Sequence, residues 1–189
     1  MRDFATLFNA IDQSTKTKVK VAALADYFAN APKPDRIWTI AMFSGRRPKR
    51  AVTTTRLREW AAERAGIPLW LFEECYPIVG DLSETIAHLL PPATRQIDKP
   101  LAEWINLVRG LGQMEEPQRK EIILDAWDQL ENTERFLFNK LITGGFRVGI
   151  SQKLMTRALA RATERDEAEM AHRLMGNWTP QTTSFEQLI

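Results

Sequence analysis

The chain has 189 residues, 44% of them hydrophobic and 26% charged, with a formal net charge of +2. That length and balance suit one sizeable core or two small helical lobes and exclude wholesale disorder. Apolar runs are short and interrupted by charge, which excludes a membrane span, and acid and polar residues around Met1-Arg2-Asp3-Phe4 exclude a secretory leader. Cys75 stands alone, so an internal disulfide or cysteine-built metal site is excluded and a reducing cytoplasm is expected.

Apolar residues recur three and four apart from the start, which predicts helices throughout. Phe4, Leu7, Phe8 and Ile11 predict a first amphipathic helix. Val19, Ala22, Ala23, Tyr27 and Phe28 predict a second, entered through Ser14-Thr15-Lys16-Thr17 and stopped near Pro32 and Pro34. A third runs from about Asp35 to Gly45, and a fourth from Thr54 or Thr55 to Gly66, with glycine the favoured stop at each C-terminus. Two more fit Ile67–Val79 and Leu82–Leu90, the latter with Asp81 at its N-cap and Glu84 three residues on, the spacing of a capping box. Pro91-Pro92 opens a loop to Pro100, the candidate boundary between lobes, and Pro100 suits the first turn of the next helix. Further helices fit Pro100–Leu111, Glu116–Leu130, Thr133–Thr143, Ser151–Thr163, Arg165–Met175 and Ser184–Ile189. The fold class is therefore all-α, about twelve helices in a compact two-lobed domain, with no strand pair and no tandem repeat.

Charge is distributed unevenly. Ser44 to Arg58 holds six basic residues (Arg46, Arg47, Lys49, Arg50, Arg56, Arg58) and no acid. Lys140 to Thr163 holds five (Lys140, Arg147, Lys153, Arg157, Arg161), again with no acid. Leu111 to Arg135 carries seven acids against three bases. Folded onto one side, the basic segments would make a footprint with an acidic back.

Three segments are candidates for function. In Gly144-Gly145-Phe146-Arg147-Val148-Gly149, glycines interrupt two helical stretches, and Ser151 follows as a cap. Glycine ends a helix in a left-handed conformation without steric penalty and lets the main chain approach a bulky partner closely. A helix start offers free N–H groups and a dipole that favour an anion. The segment therefore reads either as a tight helix–helix corner or as a phosphate site, with Arg147 and Lys153 supplying charge. Ser44-Gly45-Arg46-Arg47-Pro48-Lys49-Arg50 is a basic loop stiffened by Pro48; it reads as a solvated loop or as a sequence-independent phosphate contact. Gly80-Asp81-Leu82 reads as plain capping or as a further source of main-chain donors.

Catalytic patterns are weak. His88 and His172 stand apart, with no histidine pair at metal-ligand spacing. Glu73-Glu74 are neighbours on a helix and do not share a face. The tryptophans mostly lie at core spacing, which suits packing better than base stacking. No Gly-x-x-x-x-Gly-Lys-Ser/Thr loop is present.

Taken together, Phe138-Asn139-Lys140-Leu141-Ile142-Thr143-Gly144-Gly145-Phe146-Arg147-Val148-Gly149-Ile150-Ser151-Gln152-Lys153-Leu154 resembles the N-terminal DNA-binding domain of ATP-dependent DNA ligases, in the bacterial multidomain form. Phe4-Ala5-Thr6-Leu7-Phe8, Leu57-Arg58-Glu59-Trp60-Ala61 and Gly80-Asp81-Leu82-Ser83-Glu84-Thr85 extend the likeness in order along the chain. The resemblance implies a monomeric helical domain on the minor-groove side of nicked double-stranded DNA, in the bacterial cytoplasm and away from membranes. It implies backbone contacts at Gly144, Gly145, Arg147 and Gly149, with Ser151 and Lys153 beside them. Further phosphate contacts would be made at Gly80 and at Arg46, Arg47, Lys49 and Arg50.

The family forms its lysyl–AMP intermediate in a Lys-x-Asp-Gly motif, and none occurs in these 189 residues. The expectation is a non-catalytic part of a larger ligase, covering residues 1–189, with no cofactor of its own. ATP and Mg2+ would serve the whole enzyme, in catalytic and oligonucleotide-binding-fold domains beyond Ile189 of the same polypeptide. A stand-alone helical nucleic-acid-binding module, and a scaffold for an acidic protein partner, are the competing readings.

Overall fold

Single residues decide where the helices begin and end. The computed structural model describes residues 1–146 and 148–189 and contains twelve α-helices and no strand among them. In order these are α1 (Arg2–Asp12), α2 (Thr17–Asn30), α3 (Lys33–Phe43), α4 (Thr54–Ala65), α5 (Leu69–Val79) and α6 (Leu82–Leu89). They continue with α7 (Leu101–Leu111), α8 (Glu116–Gln129), α9 (Asn132–Thr143), α10 (Gln152–Thr163), α11 (Glu167–Met175) and α12 (Phe185–Leu188). None is long and apolar enough to cross a membrane.

Side-chain and glycine caps set these ends, Thr53 standing just before the start predicted for α4. Thr53 accepts from Arg56 N to start α4, and Gly66 stops it at φ +69°, its N–H and that of Ile67 closing back onto Glu63 O and Ala62 O. Asp81 caps α6 through Glu84 N at 3.1 Å. The predicted capping box is only half formed: Glu84 lies 3.5 Å from His88 Nε2, one turn along, while the second Asp81 oxygen holds Lys140. Pro100 stands immediately before α7 rather than inside its first turn.

The chain divides into two compact units. The first comprises Met1–Arg47, Pro100–Ala102 and Arg147–Ile189. The loop from Pro91 belongs to the second, Pro48–Lys99 with Glu103–Phe146, and the chain leaves that unit at Pro100. In the first unit α2 packs along α10, with α1, α3, α11 and α12 around the pair. Phe4, Leu7, Ile11, Leu24, Phe28, Ile40 and Leu159 are buried there, each contributing about 1.5–3 kcal/mol through the apolar area removed from water. Phe4 packs edge-on against Tyr27, ring centroids 6.3 Å apart. In the second unit α6 packs on α9 and α4 on α5, α6 and α8, over Leu57, Trp60, Phe72, Ile86, Trp104, Trp127 and Phe138. Five of the six tryptophans are buried as their spacing predicts; Trp70, 67% exposed at the start of α5, is the exception.

In the first unit a buried carboxyl is held by main chain. Asp35 accepts from Leu101 N (3.0 Å) and Ala102 N (2.9 Å), capping the otherwise open start of α7. Burial raises its carboxyl above the ordinary range, against the pull of those two donors. Its ionised form is therefore disfavoured by folding, and the stability that the shift confers is lost as pH rises through the raised value. Asp35→Ala leaves two buried donors unpaired, and about 2 kcal/mol of stability is expected to go with them. For a chain of this size the melting temperature should fall by about 4–8 °C, measured by circular dichroism.

Candidate nucleic-acid interface

Helix α9 ends in a left-handed glycine. Gly144 sits at φ +66°; its N–H donates to Leu141 O (3.2 Å) and the N–H of Gly145 to Lys140 O (3.1 Å), the paired bonds of a Schellman stop. That leaves the carbonyls of Ile142 and Thr143, and both are taken by the basic loop ninety residues upstream. Ala51 N donates to Ile142 O at 3.0 Å, and the Arg50 guanidinium reaches Thr143 O at 3.4 Å. A Cβ on Gly144 would lie 3.6 Å from Arg50 N and 3.8 Å from Pro48 O. The second unit thus lays Pro48-Lys49-Arg50 against Gly144 at the end of α9, joining two segments that the sequence presents as independent. Lys49, Arg50 and Gly145 are exposed there.

The third segment joins them through Lys140, in the last turn of α9, whose ammonium pairs with the Asp81 carboxylate beside Gly80. Asn139 donates to Ser83 O (3.2 Å) and fixes the same approach of α6 to α9. Burial alone would raise the Asp81 carboxyl, but the Lys140 hydrogen bond and charge, with the Glu84 and Ser83 N–H groups, outweigh it and hold it below its ordinary value. Gly80 closes α5 at φ +83° and is exposed. Gly80, Lys49, Arg50, Gly144 and Gly145 therefore gather at the C-terminal end of α9.

The charge reading needs correction at this point. Lys140 and Arg157 lie in an acid-free stretch of sequence but not of space: Lys140 is paired with Asp81, and Arg157 Nε lies 3.5 Å from Glu167. Arg56 pairs with Glu59 and Glu116, Arg58 with Glu73, and α8 returns Asp128 to Arg64 and Lys120 to Glu63. The acidic helix neutralises α4 instead of lying apart from it. Among the described residues Lys49 and Lys153 show no acidic partner.

The first unit holds the remaining predicted residues. Gly45 ends α3 at φ +83° with the same Schellman bonds, from Gly45 N to Met42 O and Arg46 N to Ala41 O. Arg46 stacks over Trp178 at 4.2 Å, and Arg47 is half-buried with its Nε unpartnered among the described residues. Arg147 lies outside the described residues. Past it, Ile150 N donates to Val148 O at 2.7 Å, closing a three-residue turn with Gly149 at its centre. Among the described residues no heavy atom outside its chain neighbours lies within 4 Å of where a Gly149 Cβ would be, and its φ is not left-handed. Ser151 then caps α10 through Leu154 N (3.2 Å), with Gln152 and Lys153 exposed in the first turn. The chemistry such a surface offers is anion binding by exposed cations, main-chain N–H groups and a helix start.

A family model described as DNA ligase N terminus matches residues 1–160. The chain belongs to that family. No curated protein matches the sequence. The matched span includes all three gathered segments and every predicted contact residue, from Arg46 to Lys153. In this ligase-family chain the glycine turn has two distinct physical bases. Gly144 is required by the fold itself, through its left-handed φ and the backbone packed against it. Nothing among the described residues requires a glycine at Gly149.

Proposed function

We propose that this chain is the DNA-binding part of an ATP-dependent DNA ligase, gripping nicked duplex DNA from the minor-groove side through phosphate and sugar. The observation that carries the reading is the convergence of the basic loop and the glycine turn at the end of α9, in a chain of the ligase family. A ligase works at any sequence, so its grip falls on backbone and groove shape, and the minor groove carries too degenerate a code to impose a preference. Binding on both flanks of a break aligns the ends and lowers the entropy cost of joining them. Lys49, Arg50, Lys153 and, from its motif alone, Arg147 supply charge; Gly145, Gly149 and the start of α10 supply close backbone approach.

Sealing chemistry belongs to other parts of the enzyme in this reading. No Lys-x-Asp-Gly occurs in the sequence. Among the described residues no three His, Cys, Asp or Glu side chains are grouped to hold a metal ion.

The test is a mobility shift on nicked and intact duplexes of unrelated sequence across a salt series. Arg50→Ala is expected to weaken binding equally on all sequences and to lower the slope of log K against log salt by about 0.9, one released counterion. A slope unchanged by Arg50→Ala, or a strong sequence preference in the parent chain, would overturn the reading.

A further inference from the structure

The first unit carries a basic cleft away from the glycine turn, where the start of α2 meets α10 and the beginning of α11. Its volume is about 550 Å³. Lys18, Arg157, Arg161 and Arg165 line it, with Val21 and Ala160 as the apolar part of the wall and Glu167 as the one carboxylate. Four cations thus face one acid. Arg157 is in long contact with Glu167 at 3.5 Å, and Arg165 turns to Glu169 at 3.2 Å. Lys18 and Arg161 are exposed and have no charged partner among the described residues. Helix α2 begins beside them with no side-chain cap, and Val19 N and Lys20 N close back onto Lys16 O. Unneutralised like charges brought together in a concavity repel one another, and an anion relieves that repulsion.

What kind of anion follows from α10. Lys153, Arg157 and Arg161 recur every four residues and so lie along one face of the helix. At 1.5 Å per residue they span about 12 Å, the axial length of about four phosphates on one strand. The stripe starts in the first turn of α10, two residues past Ser151, and ends in the cleft. An extended polyphosphate fits this surface.

We propose that the α2–α10 cleft is a second phosphodiester site, which continues the contact begun at Ser151 and Lys153 along the backbone of the same duplex. This rests on the DNA-binding reading and extends it to residues outside the glycine turn. Lys18 and Arg161 make direct phosphate contacts; Arg157 and Arg165 exchange their carboxylate partners for phosphate when DNA is bound.

The test uses the chain carrying Lys18→Gln and Arg161→Gln, two exposed, unpaired side chains whose loss leaves the fold intact, checked by an unchanged melting curve. On nicked duplex the slope of log K against log salt is expected to fall by about 1.8, so that the loss of affinity between 50 and 200 mM salt shrinks about tenfold. Arg2→Gln with Arg109→Gln, equal in charge but outside the cleft, should leave the slope near that of the parent chain. An unchanged slope in the cleft variant, while Arg50→Ala still lowers it, overturns the cleft and leaves the DNA-binding reading standing. An equal fall in the control pair also overturns it, because net charge alone would then explain the effect. Binding of poly-glutamate that is lost in the cleft variant while duplex binding is unchanged assigns the cleft to an acidic protein instead. Absence of duplex binding by the parent chain overturns both readings.

Discussion

Replacing Gly149 with valine is expected to leave the melting temperature close to that of the parent chain and to weaken duplex binding tenfold or more. The stability half follows from the open space that the described residues leave around the position and from a φ outside the left-handed region, so an added side chain meets none of them and adopts no strained backbone. The binding half follows from the partner. A branched side chain between the Val148–Ile150 turn and a phosphate backbone holds the two apart, at a cost of about 1–3 kcal/mol if the contact is as close as packed surfaces are. Gly144→Val should do the reverse. A β-branched residue at φ +66° with Arg50 N 3.6 Å from its Cβ is expected to cost about 3 kcal/mol of folding stability, from left-handed strain and overpacking together. Thermal melts and mobility shifts on both variants separate the cases. If Gly149→Val melts early while the surviving folded protein binds normally, the segment is only a helix corner.

The second large effect lies far from any surface. Arg135 is among the largest fully buried side chains, and its guanidinium donates to three carbonyls: Trp127 O (2.7 and 3.1 Å), Pro91 O (3.0 Å) and Leu90 O (3.5 Å). Trp127 lies in the last turn of α8, where carbonyls lack intrahelical partners, and Leu90 and Pro91 follow the end of α6, so one side chain ties two helix ends together. Burial pulls its pKa below the ordinary arginine value, with Asp128 and Glu131 opposing that. Arg135→Ala is expected to cost about 3–5 kcal/mol, lowering the melting temperature by about 10 °C. Arg135→Met refills most of the volume without restoring a donor. Melting as low as the alanine variant would assign the loss to the abandoned carbonyls; full recovery would assign it to packing.

Much of the helical layout was legible in the linear order of residues because its causes are local. Thr53 and Gly66 bracket α4, Asp81 starts α6 and Ser151 starts α10 through bonds that span three to five residues, a range within which sequence and space coincide. Tryptophan burial was legible for a related reason: a 3.6-residue period turns the apolar face of each helix to one side, and only Trp70 fell on a face with nothing to cover it. Charge was less legible, because ion pairs ignore chain distance. Lys140 meets Asp81 from 59 positions away and Arg56 meets Glu116 from 60, so an acid-free run of sequence is not an acid-free surface.

The glycine turn shows the same division at single-residue scale. By itself the sequence determined the all-helical class, a helix stop at Gly66 and another at Gly144 or Gly145, and, through the order of its motifs, membership of the ligase family. Only tertiary structure decided which cations remain available, that Pro48–Arg50 lies on the end of α9, and that Gly144 meets the Arg50 backbone whereas Gly149 has open space among the described residues. The physical reason is the same in each case. A helix cap is chosen by neighbours along the chain, but the neutralisation of a charge and the space around a Cβ are set by whatever folding brings alongside.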